Sequence, residues 1–122
     1  MKSTTPYDVV LVPFPFADLS TNKRRPCLVL ARLSPKGLPR HFVVCMITSQ
    51  LAGVSFPHDH VLGDYAAAGL PKPSLVRVAK LVTVEQSVLL KKLGTLSMRD
   101  RAKVRDNVNA LFARGVSKRA AP

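Results

Sequence analysis

Short apolar and polar blocks alternate along the chain to about position 95, where a helical period takes over. Residues 8–12 form a β-branched run closed by Pro13 and Pro15, which lack the N–H a strand ladder needs. Residues 17–25 read as a polar loop and 27–32 as a second strand. Residues 34–40, with two prolines and a glycine, read as a turn. Residues 42–47 are continuously apolar, the pattern of a central strand covered on both faces. Thr48-Ser49-Gln50 ends that run, and 51–57 reads as loop or a single helical turn. Residues 60–62, 74–78, 81–84 and 91–95 read as four further short strands, with an irregular stretch at 63–73 punctuated by Gly69, Pro71 and Pro73.

From Ser97 the spacing changes. Ser97 is an N-cap with Asp100 three residues on, and Val104, Val108, Leu111 and Phe112 fall on one helical stripe that Gly115 stops. Short strands followed by one helix predict a mainly β protein, a small curved barrel or half-barrel with a C-terminal helix packed on it. The 122 residues predict a single domain, 1–122, with an ordered core over about 7–114.

Charge adds a partner class. Nineteen Lys and Arg face seven Asp and Glu, a net charge of +12, and Glu85 is the only glutamate. So large an excess on a small domain favours a polyanionic partner, without saying which. No apolar run approaches the ~18 residues a membrane helix needs. The N-terminal residues lack a signal-peptide pattern, so the cytoplasm is the expected compartment.

Recognised chemical motifs are few. Cys27 and Cys45 lie in apolar runs and read as buried thiols, a bridge between neighbouring strands needing an oxidising compartment. His58-Asp59-His60 offers two imidazoles but no third ligand, and reads as a surface-loop histidine pair rather than a metal site. Asp59 and Asp64 are the only close carboxylates, both placed in loop. Glycine-rich phosphate loops, nucleophile elbows and zinc-finger spacings are absent. What remains is Lys23-Arg24-Arg25-Pro26 at one strand start and Thr48-Ser49-Gln50 at the next strand's end. Antiparallel neighbours would bring Arg25 and Thr48 side by side, a guanidinium and a hydroxyl suited to a phosphate. Spacing alone fits a solvated basic loop and a strand-capping threonine better.

Asp8-Val9-Val10-Leu11-Val12-Pro13-Phe14, Lys23 to Leu30, Ile47-Thr48-Ser49-Gln50, and Gly69-Leu70-Pro71-Lys72-Pro73-Ser74-Leu75-Val76-Arg77-Val78 together resemble the MazF/PemK toxins of bacterial toxin–antitoxin systems. Lys80-Leu81 and Lys92-Leu93-Gly94 before the helix fit the same pattern, so the resemblance spans roughly residues 7 to 113. It implies a small SH3-like β-barrel of the CcdB/MazF type, usually a homodimer. It also implies a metal-independent endoribonuclease, without cofactor, that cuts single-stranded RNA, and an antitoxin whose acidic segment covers the RNA groove.

Residue by residue, the resemblance assigns Arg25 to the scissile phosphate and Thr48 to a phosphoryl oxygen or the 2′-hydroxyl. Some relatives use a histidine in the first loop and an Arg-x-Asp triplet. Here those positions hold Leu19 and, after Arg77, Ala79, so the general base is unassigned and a non-cleaving member is an alternative. Arg77 has two readings, a second phosphate contact or a strand-edge salt bridge. Phe16 and Tyr65 are the stacking candidates for RNA bases, with core packing the default for the other phenylalanines. Lys23, Arg24, Ser49, Gln50, Lys72 and Lys80 complete the expected RNA contacts. Two other readings compete: a CcdB-like toxin that binds gyrase and cleaves nothing, and a basic nucleic-acid-binding module without activity.

Overall fold

The computed structural model describes residues 4–13 and 23–115; Phe16 and Leu19 lie outside them. Six strands form one antiparallel sheet: β1 (Asp8–Pro13), β2 (Arg24–Leu33), β3 (His41–Thr48), β4 (His60–Val61), β5 (Leu75–Glu85) and β6 (Lys91–Thr95). Their spatial order is β4-β5-β3-β2-β1-β6, and the sheet curls into a half-barrel completed by helix α1 (Met98–Gly115). The mainly β fold with a C-terminal helix expected from the periodicity is present. None of the described helices is long and apolar enough to cross a membrane.

Strand alternation produces two apolar layers. Val9, Leu28, Cys45, Ile47, Val76 and Val78 share one face with Val104 of α1. Val10, Val12, Cys27, Val29, Phe42, Val44 and Val84 form the layer on the other face. Each fully buried valine or leucine contributes about 1.5–3 kcal/mol. The same alternation puts Cys27 and Cys45 in different layers, so the inter-strand bridge considered from the sequence has no geometry to form. Both thiols are free, and burial pushes Cys27 up to about 12 and Cys45 up as well.

Three expectations need correction. The strands foreseen at 74–78 and 81–84 are one, β5, because the β3 ladder jumps from Cys45↔Leu81 to Met46↔Arg77 and bulges the intervening residues out. β2 begins at Arg24 rather than 27, because Arg24 and Arg25 pair with Pro13 and Val12 of β1. Phe112 is 54% exposed, so the buried stripe of α1 is Val104 with Val108 and Leu111 beside it.

The helix start is a hub. Ser97 Oγ accepts the Asp100 backbone N–H at 3.2 Å, as the capping pattern requires. Asp100 is 1% exposed; its Oδ1 accepts His60 Nε2–H at 2.8 Å and Gly63 N–H at 2.9 Å, and its Oδ2 accepts Asp64 N–H at 3.0 Å. His60 is therefore not a surface-loop histidine: it sits on β4, tied to the helix. Burial raises the Asp100 carboxyl's pKa, but the bonds from Gly63, His60 and Asp64 and the coulombic effect of His60 outweigh it and lower the group overall.

Loop 65–70 crosses β6 in near contact. Gly69 has φ +79°, and a Cβ there would sit 2.0 Å from the Leu93 carbonyl oxygen, while one on Gly94 would meet the Ala67 and Ala68 backbone at 2.6 Å. Only glycine allows this approach. It carries the chain on to Leu70, Pro71, Lys72 and Ser74, which face the sheet end described next.

Candidate RNA-cleaving site

Pro26 opens a gap in the sheet. It has no N–H, and the β2–β3 ladder starts only at Cys27↔Met46, followed by Leu28↔Cys45. Extending that register by two residues puts Arg25 opposite Thr48, where no ladder closes the space. Arg25, Met46, Thr48 and Arg77 share the sheet face away from α1 and line a cavity of about 570 Å³ with Gln50, Ala52, Gly53 and Val54. A second cavity of about 250 Å³ lies beside it, walled by Pro26, Ile47, Leu70, Pro71 and Ser74. Arg25, Thr48 and Gln50 belong to both and form the ridge between them.

The ridge has a polar direction. Thr48 Oγ1 accepts the Gln50 backbone N–H at 3.1 Å. One lone pair is thereby engaged, and the hydroxyl proton is left to donate to a ligand. A guanidinium and a hydroxyl donor on one ridge suit a tetrahedral anion bound at its oxygens.

Of the other expected contacts, Ser49 and Lys72 line the smaller cavity and Gln50 both. Lys23 and Arg24 are exposed beside Arg25 and line neither of the two cavities. Tyr65 is partly buried against the α1-side core and lines neither of the two cavities. Lys80 lies with its ammonium 5.2 Å from the Phe56 ring centre, also outside both cavities.

Arg77 is on an interior strand, not a strand edge, and is 8% exposed. Its Nη2 donates to Asp59 Oδ2 at 3.0 Å and to the Val54 carbonyl at 3.0 Å, and Nε donates to the same carboxylate at 3.2 Å. Its guanidinium stacks 4.7 Å from the Phe56 ring centre. The salt-bridge reading holds, with Asp59, eighteen residues away, as the partner. Sequence reasoning considered Asp59 only as a metal carboxylate, and nothing local marks it as the mate of Arg77. Met46, Val54 and Ser74 were also missed as cavity walls, because each becomes one only through sheet register or loop return. Among the described residues no group of three His, Cys, Asp or Glu side chains stands close enough to hold a metal ion.

The architecture is a curled antiparallel half-barrel with a C-terminal helix and a basic, hydroxyl-bearing cleft at one sheet end. Residues 5–112 match the family model described as the PemK-like, MazF-like toxin of type II toxin–antitoxin systems, and the chain belongs to that family. Solved structures share the fold at low identity. The Mycobacterium tuberculosis toxin MazF-mt6 superposes with a TM-score of 0.62 at 19% identity, over 86% of this chain and 95% of that one. A MazE–MazF structure from Deinococcus radiodurans gives 0.65 at 21% identity, over 93% and 98%. A mycobacterial endoribonuclease in complex with its cognate antitoxin gives 0.64 at 14% identity, over 94% and 98%. No curated protein sequence matches the chain.

Proposed function

We propose that this toxin is a metal-independent endoribonuclease of the mRNA-interferase type, cutting single-stranded RNA at short sequences. The observation that carries this reading is the Arg25–Thr48–Gln50 ridge between two cavities. A phosphodiester laid on that ridge has a nucleotide on either side and room for both. Without a metal, the nucleophile is the substrate's own 2′-hydroxyl: its oxygen bonds to phosphorus, the P–O5′ bond breaks, and a 2′,3′-cyclic phosphate and a 5′-hydroxyl result. Arg25 neutralises the charge growing on the phosphoryl oxygens. Thr48 donates a hydrogen bond to one of them and keeps its proton, while the 2′-hydroxyl proton passes to solvent water and the departing O5′ takes a proton from solvent. A guanidinium keeps its charge and offers donors but no acceptor, which makes it poorly suited to general base catalysis, so the role given to Arg25 is electrostatic.

The +12 charge suits both an RNA backbone and an acidic antitoxin segment competing for the same cleft. The structural relatives include toxins solved with antitoxins, which supports an antitoxin as partner here. We further take that antitoxin to be acidic, the working unit to be a homodimer and its place the cytoplasm. The test is a cleavage assay on a long mixed-sequence single-stranded RNA in EDTA, with the 5′ ends mapped. Discrete cuts bearing 5′-hydroxyls are expected. Folded protein that leaves the RNA intact would overturn the proposal.

A further inference from the structure

The loop that walls the larger cavity has no strand or helix between 50 and 59. Among the described residues, most of its fastening runs through Arg77, while Lys80 also lies over the Phe56 ring and Asn107 Nδ2 of α1 donates to the His58 carbonyl at 3.1 Å. The Val54 carbonyl accepts from Nη2, the Phe56 ring lies against the guanidinium, and Asp59 takes Nε and Nη2 together. Asp59 Oδ2 also accepts the Phe56 backbone N–H at 3.0 Å, so the carboxylate ties the loop to itself as well as to the sheet. Ala52, Gly53 and Val54 lead into this clasp in chain order and line the larger cavity together with Arg25 and Thr48. Val54 is 73% exposed, an apolar side chain offered to whatever enters.

Arg77 is thus occupied. Its charge is matched by Asp59, and the Nε–Nη2 edge that would grip a phosphate is already used on a carboxylate. We propose that the Asp59–Arg77 pair is a positioning and specificity element: it sets the 52–54 wall and thereby selects the RNA base held beside the scissile phosphate. This rests on the ribonuclease reading above. Asp59 and Arg77 act through the wall and take no part in bond making.

Asp59→Asn keeps the side-chain shape and removes the charge. On mixed-sequence RNA it should still cut with 5′-hydroxyl ends, at a broader set of sequences than wild type. On a short RNA carrying the wild-type site, KM should rise about tenfold, the scale of one charge-assisted contact, with kcat little changed. Amide hydrogen exchange over residues 51–58 should quicken. Phe56→Ala, which leaves the ion pair in place, should shift the same readouts in the same direction by less, and serves if Asp59→Asn fails to fold. An unchanged sequence profile and KM in a folded variant overturns the proposal, as does a fall in kcat at constant KM. Wild-type protein that cuts nothing fails the ribonuclease reading first and takes the specificity role with it. A cleaving wild type beside an unaltered variant fails the specificity role alone.

Discussion

Asp59 and Asp100 are two carboxylates drawn from solvent, each accepting several donors, and they serve different ends of the molecule. Asp100 collects backbone N–H groups from Gly63 and Asp64 and one imidazole, binding α1 to β4 and the chain that follows it. Asp59 collects one guanidinium and holds a loop. The first network satisfies a carboxylate that is itself buried and cannot lose its donors without cost. The second ties down the loop that walls the larger cavity. The Asp100 network therefore lies on the α1 side of the sheet and the Asp59–Arg77 clasp on the other, so each can be altered without touching the other.

Substitutions at the scaffold end should move stability and leave chemistry per folded molecule alone. Asp100→Ala strands the His60 donor and two backbone N–H groups, and should destabilise by about 3–5 kcal/mol in urea unfolding. Gly69→Ala forces a side chain into the Leu93 carbonyl at a left-handed φ, and should cost about 3 kcal/mol by the same measurement. At the other end, Thr48→Val should lower cleavage about 100-fold in single-turnover kinetics, with unfolding shifted by less than ~1 kcal/mol. The smallest effect is a pH dependence. The Asp100 carboxyl lies below its ordinary value in the folded state, so its contribution is complete above the unfolded value of about 4 and fades as pH falls through the lowered one. The stability gap between wild type and Asp100→Asn should narrow over that acid range in thermal unfolding.

The contrast also explains what could be read in advance. The pattern of β-branched and apolar runs marked β1, the body of β2 and β3 closely, because these strands carry most of both core layers. It failed at Ala79-Lys80, where the bulge of β5 interrupts the period without ending the strand. It failed at Arg24-Arg25, where pairing to β1 overrides a charged, loop-like composition. Antiparallel pairing raised the approach of Arg25 to Thr48, but spacing alone favoured a solvated loop, and the family resemblance is what singled the two residues out. The Asp59–Arg77 clasp was not legible, because a loop return over eighteen residues leaves no local signature. The His60–Asp100 pair, forty residues apart, was hidden for the same reason.

The most direct test compares the two ends in one experiment. Wild type, Arg25→Ala and Asp100→Ala are assayed for 5′-hydroxyl cuts in mixed-sequence RNA at equal concentrations of folded protein, and each is unfolded in urea. The account predicts that Arg25→Ala loses cleavage by about 1,000-fold at near wild-type stability, while Asp100→Ala cuts at the wild-type sites from a less stable fold. Undiminished cleavage by folded Arg25→Ala would contradict it.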